Sequence, residues 1–271
     1  MKLITLFTTA MVPMLFIACK KDAAVVPATV VKEWNIALAA RNENNPPTGR
    51  TETGTAALKL MSDNSLTYTI TVNGLQSGDV LNADHIHVGD VISNGSVVLG
   101  LDPVFTGNTS SGMVANIRTS LVDSLKMDMN ELYFNVHSTQ VASGLVRGQL
   151  NKTIDVASFV SLTGASEVPA VTTTATGTAL IRVTSDKTLY TKVIITSLET
   201  TDMIMAAHIH TGATGVNGGI LVGICAATSD FGLNKIFTLT DAQYNSLKTD
   251  ALYVNAHSVV RTGGVVRGQI R

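Results

Sequence analysis

The chain is poor in cysteine, charge and aromatic residues. Its two cysteines, Cys19 and Cys225, allow at most one intrachain disulfide in 271 residues, so no disulfide framework holds the fold. Charged residues make up only 14% and the net charge is −1, which leaves no basic patch or stripe of the kind nucleic acid requires. Aromatics are 5%, whereas Thr, Val, Ala and Gly abound, a balance that favours strands and turns over a helical bundle. Histidine is scarce too, and its six copies are not scattered. Four lie in "ADHIHVG" (83–89) and "AAHIHTG" (206–212), and the other two in "LYFNVHS" (132–138) and "LYVNAHS" (252–258).

The long apolar run is confined to the N-terminus. Lys2 and the stretch "LITLFTTAMVPMLFIA" read as a secretory signal over residues 1–18, too short and too interrupted by Pro13 for a membrane span. The stretch ends at "FIAC", which resembles the lipobox of bacterial lipoproteins, with Phe16 where an aliphatic residue is usual. Cys19 is therefore expected to carry lipid, giving a cell-envelope protein anchored to a membrane after export without a spanning helix. A lipidated Cys19 leaves Cys225 unpaired. Its setting, "GILVGICAA", predicts a buried, inert thiol.

The remainder repeats. His208 follows His85, and His210 follows His87, by 123 residues, and Gly177 follows Gly54 by the same interval. Towards the end the interval is 120, as between His137 and His257 or Arg147 and Arg267. A period near 120 is a whole domain rather than a solenoid unit. The organisation reads as a tether over 19–32, domain 1 over 33–151 and domain 2 over 152–271, with so short a join that the domains should touch.

Within each copy the apolar period is two. In "SLTYTITV" (65–72), Leu66, Tyr68, Ile70 and Val72 share one face; in "TALIRVT" (178–184), Ala179, Ile181 and Val183 do. Such alternation predicts half-buried strands of antiparallel sheets. Asn94-Gly95 and Asn217-Gly218 read as hairpin turns. One helix per copy is expected, over 240–248 with Thr240 as N-cap and over 120–127. The fold class is all-β, a sandwich or barrel in each domain with at most one short helix.

On a strand, residues two apart share a face. His85 and His87 therefore point together, as do Tyr133, Asn135 and His137, and Arg147 with Gln149. In the second copy the sets are His208 and His210; Tyr253, Asn255 and His257; Arg267 and Gln269. Three readings compete. A His-x-His pair plus a third His is a familiar first shell for Zn or Cu, with a fourth position for water or a partner. Alternatively, imidazole, amide, phenol and guanidinium satisfy one another as a polar network. Lastly, the patch recognises a protein or glycan of the envelope. Arg147 and Arg267 count against a cation if they lie close. Asp84 has Ala207 as its counterpart, so a shared role cannot depend on it. No G-x-S-x-G elbow, P-loop or dinucleotide fingerprint is present.

The phrases "HIHVG…NG" and "HIHTG…NGG", "LYFNVHS" and "LYVNAHS", and "GLVRGQL" and "GVVRGQI" together resemble the CHRD domain, named after chordin, a secreted antagonist of bone morphogenetic proteins. "SEVPA" (166–170) fits the family's opening motif, whereas the first copy departs there with "NENNPP". The resemblance implies two tandem immunoglobulin-like antiparallel β-sandwich domains, with remote kinship to Cu/Zn superoxide dismutase, and no settled activity. Three histidines per domain and no cysteine pair fall short of what that enzyme needs, so dismutase catalysis is not expected. The expected function is a non-enzymatic, membrane-anchored binding or structural module. The alternative is a metalloprotein with one Zn or Cu per domain.

Overall fold

The structure is a computed structural model and describes residues 27–271. The expected signal segment and Cys19 lie outside the described residues. Domain 1 comprises β1 (Val30–Ala39), β2 (Thr53–Met61), β3 (Leu66–Asn73), β4 (Leu81–Val88), β5 (Val97–Gly100), β6 (Thr109–Val114), α1 (Thr119–Lys126), β7 (Leu132–Ser138) and β8 (Val146–Gln149). Domain 2 repeats the order with β9 (Ile154–Thr163), β10 (Thr176–Thr184), β11 (Thr188–Thr196), β12 (Ile204–Thr211), β13 (Ile220–Cys225), β14 (Lys235–Thr238), α2 (Asp241–Thr249), β15 (Leu252–Ser258) and β16 (Val266–Gln269). β1 already begins at Val30, so the last residues assigned to the tether belong to the sheet, where Val30 pairs with Met61 and Lys32 with Leu60.

Each domain is one eight-stranded antiparallel sheet, ordered β5-β4-β7-β8-β1-β2-β3-β6 and β13-β12-β15-β16-β9-β10-β11-β14. The expectation of two all-β domains with one short helix each holds. β8 meets β1 at a single register pair, Ala39 with Arg147, and β16 meets β9 at Arg267 with Thr163. At that weak seam each sheet turns over on itself, and its two four-stranded halves enclose one core. Ile36, Leu58 and Ile70 from one half pack with Ile86, Phe134 and Val146 from the other. The alternation read in the sequence supplies these residues: along β3, Leu66, Tyr68, Ile70 and Val72 are buried. α2 starts as expected, with Thr240 accepting from the Gln243 amide and Gln243 reaching back in a capping box.

Two expectations are corrected. β10 is not half-buried. Its outward residues Leu180 and Arg182 are buried like Ala179, Ile181 and Val183, since domain 1 lies against this part of domain 2, and Thr184 is buried with its hydroxyl donating to Asp186 and the Thr188 carbonyl. The Asn-Gly pairs do not form two-residue hairpins, because neither Asn94, Gly95, Asn217 nor Gly218 takes a positive φ. The β4–β5 and β12–β13 connections are instead longer loops, 89–96 and 212–219. Glycine is required there for room. A Cβ at Gly95 would sit 1.8 Å from the Val88 carbonyl oxygen, and one at Gly218 1.6 Å from that of Thr211. Cys225 is buried as expected, and burial pushes its thiol up to about 12.

Candidate metal centre

β4 and β7 are neighbours, with His85 opposite Asn135 and His87 opposite Tyr133. β8 lies on the far side of β7, with Arg147 opposite Asn135 and Gln149 opposite Tyr133. β12, β15 and β16 repeat the arrangement: His208 faces Asn255 and His210 faces Tyr253 across one ladder, and Arg267 and Gln269 face the same two residues across the other. The pleat therefore gathers each set of seven residues on one face, as the spacing predicts. One ring nitrogen from each of His85, His87 and His137 lies within 4.8 Å of the other two, and the same holds for His208, His210 and His257.

Backbone carbonyls set which nitrogens turn inward. His87 Nδ1 lies 3.0 Å from the Gly95 oxygen, and His137 Nδ1 lies 3.0 Å from the Ala142 oxygen. A ring that donates from Nδ1 to a carbonyl carries its lone pair on Nε2. His137 Nε2 faces His85 Nδ1 at 3.1 Å. In domain 2, His210 Nδ1 addresses Gly218 at 3.1 Å, His257 Nδ1 addresses Thr262 at 2.9 Å, and His208 Nδ1 faces His257 Nε2 at 3.0 Å. His87 Nε2 and His210 Nε2 are buried without a hydrogen-bond partner, as are Asn135 Oδ1 and Asn255 Oδ1. Burial holds His85, His87, His137 and His210 below the ordinary imidazole range, and it takes His208 to about 4, helped by His257 and His210. Neutral rings with free lone pairs are what metal coordination requires.

The remaining polar residues brace this cluster. The Tyr133 ring stacks on His87 at 4.7 Å with 7° between planes, and the Arg147 guanidinium lies 3.5 Å from the same ring's centre. Tyr253 stands likewise between His210 and Arg267. A phenol ring thus separates each guanidinium from the imidazoles. Arg147 donates to Asn94 Oδ1 and to the Asp90 and Ser93 carbonyls; Arg267 donates to Asn217 Oδ1 and to the Ala213 and Val216 carbonyls. Gln149 and Gln269 hold the Gly89 and Gly212 carbonyls, each at 2.9 Å. The polar face is no open patch, since Asn135, Arg147 and Gln149 are buried beneath the loops.

Sequence reasoning missed Glu43 and Glu167. Asn135 Nδ2 donates to Glu43 at 2.5 Å, and Asn255 Nδ2 donates to both oxygens of Glu167 at 2.7 and 2.8 Å. Burial raises both carboxyls to about 7, against the opposing pull of Arg147 on Glu43 and of Arg267 on Glu167. The two lie 124 residues apart, close to the repeat interval, so the opening of the first copy is conserved in geometry where its letters depart. Asp84 points into the core beside Ile86, away from the imidazoles. It is 1% exposed, neither of its oxygens has a partner, and burial with the nearby Asp102 charge raises it to about 7.

No curated protein and no solved structure matches the chain. Residues 34–150 and 159–270 each match the CHRD domain. With the same three strands presenting the same residues in both halves, the chain belongs to the CHRD domain family as two tandem copies.

Proposed function

We propose that each domain is a non-enzymatic module that holds one transition-metal ion, Zn or Cu. In domain 1 the ligands are His85 Nδ1, His87 Nε2 and His137 Nε2; in domain 2 they are His208 Nδ1, His210 Nε2 and His257 Nε2. The observation that carries this reading is the buried, unpartnered Nε2 of His87, repeated at His210. A buried acceptor without a donor costs roughly 1–3 kcal/mol, and a cation held between the three rings would offset that cost in each copy. A cation would replace the proton between the two facing nitrogens, with His85 and His208 in their Nε2–H form, and would accept all three lone pairs. Metal–nitrogen bonds of about 2.0–2.1 Å place two ligands roughly 2.9–3.4 Å apart for angles between square and tetrahedral. The observed 3.1 and 3.0 Å pairs fall in that window. Carbonyls that fix the tautomer of a ligand are the usual outer support of such a site.

The network reading accounts for the neighbours of the triad. Asn135 Nδ2, the terminal nitrogens of Arg147 and Gln149 Nε2 donate to fixed acceptors, and Tyr133 Oη accepts from the Gly95 amide. That leaves none of them poised as an acid or base, which favours holding a ligand over turnover. The expected export signal and Cys19 would keep the pair of domains on a membrane at the cell envelope. Elemental analysis of the purified chain tests the metal reading. About two equivalents are expected, His87→Ala and His210→Ala each removing one. Metal content near zero, with the same substitutions lowering only the melting temperature, would return the triads to a structural role. A hydrolase or dismutase rate lost with these histidines would overturn the non-enzymatic reading.

A further inference from the structure

The two triads are built alike, but the loops that brace them are not. In domain 1, loop 89–96 supplies the Gly95 carbonyl to His87 and three acceptors to Arg147. The tip of this loop is embedded in the other domain. Val91 and Ile92 are 0% and 4% exposed and pack with Leu180 and Tyr190 of domain 2. Asn234 Nδ2 adds a hydrogen bond to Ser93 Oγ at 2.8 Å. A second tie runs beneath it. Arg182, fully buried on β10, donates to the Glu43 carbonyl at 2.6 Å, and the Glu43 carboxylate holds Asn135, which faces His85 across the β4–β7 ladder.

Among the described residues, domain 1 gives the domain 2 loop no such support. That loop carries Thr214 and Gly215 where domain 1 has Val91 and Ile92, and residues 213–219 are exposed. The face of domain 1 equivalent to the docking face carries Ala57, Lys59 and Thr67 in place of Leu180, Arg182 and Tyr190, with Ala57 and Lys59 open to solvent. The contact is therefore one-way. Domain 2 grips the loop that orients His87, whereas among the described residues the loop that orients His210 is held only from within domain 2.

We infer that Leu180, Arg182 and Tyr190 of domain 2 are positioning residues for the domain 1 triad, so that ligand affinity at His85, His87 and His137 is set by interdomain docking while the domain 2 site is autonomous. The affinity part rests on the metal reading above; the positioning part does not. Both are tested with the full chain, using Leu180→Ser and, separately, Arg182→Met. These substitutions alter the outer face of β10, leaving the inward Ala179, Ile181 and Val183 in the domain 2 core.

The first readout needs no metal. Histidine ¹⁵N spectra report the Nδ1–H form that Gly95 imposes on His87 and Gly218 on His210. The docking variants should lose the fixed His87 pattern and keep that of His210, which serves in the same sample as proof that the substituted domain is folded. An unchanged His87 pattern overturns the inference, and so does equal loss at both. The second readout is Zn²⁺ affinity by chelator competition, in a His210→Ala background that leaves only the domain 1 triad and in a His87→Ala background that leaves only the domain 2 triad. Loss of outer support weakens a metal site by about 10- to 100-fold. That fall is expected in the first background, with no change in the second; equal affinities, or equal falls, overturn the coupling. Absence of zinc binding in both backgrounds refutes the metal reading and the affinity claim with it, and leaves the spectroscopic result to decide the positioning claim.

Discussion

Asp84 stands next to a proposed ligand yet belongs to the other face of the sheet. Its carboxyl is buried without a partner and titrates near 7, against an unfolded value near 3.8. The folded state therefore keeps this proton across a range in which the unfolded chain has released it. The stability contributed by Asp84 is complete below about pH 4 and is lost as pH rises to about 7. The difference between the two values corresponds to roughly 4 kcal/mol as a ceiling. Asp84→Asn should remove this slope, so urea melts should show the variant gaining on the parent chain between pH 4 and pH 8. Parallel pH profiles for the two chains would show that Asp84 is not the group responsible. Domain 2 has Ala207 and Cys225 on these adjacent strands and carries no such carboxyl.

The loops after β4 and β12 make the triads, because each delivers one carbonyl to an imidazole and several acceptors to an arginine. Their Asn-Gly pairs serve that geometry, Asn94 and Asn217 as acceptors and the glycines as the only residues that fit. Gly95→Ala would set a Cβ against the Val88 carbonyl, so the loop must move and His87 must lose its anchor. Stability should fall by about 2 kcal/mol or more, and metal uptake at domain 1 should fall with it. Retained uptake at wild-type affinity would mean that the carbonyl does not orient the ring. At the helix, Thr240→Ala removes one arm of the capping box and should lower stability by about 1 kcal/mol in a thermal melt.

At the scale of the molecule, the two domains are joined by a small apolar cluster of Val91, Ile92, Leu180 and Tyr190, with Arg182 beside it. Fully burying such side chains contributes about 1.5–3 kcal/mol each, enough for a graft this small to couple the unfolding of both domains. Calorimetry should show one cooperative transition for the intact chain. Arg182→Met should split it into two. A parent chain that already melts in two steps would mean that docking adds little stability.

The duplication, the strand character and the sharing of one face by His85 with His87, or Tyr133 with His137, were determined by the sequence alone, since they follow from a repeat interval and from side chains that alternate along a pleated strand. α2 was legible for a similar reason, because its cap and capping partner are three residues apart. Contacts between distant segments were not legible in that way. Only the tertiary structure decided that β4 and β7 are neighbours, that Gly95 and Ala142 turn particular ring nitrogens inward, and that Glu43 braces Asn135. It also decided that the outward face of β10 is buried. Nothing in the alternation of "TALIRVT" marks that second buried face, because what covers it arrives from a loop some 90 residues earlier in the chain. Local periodicity reports which way a side chain points, whereas what it meets there depends on how the whole chain closes.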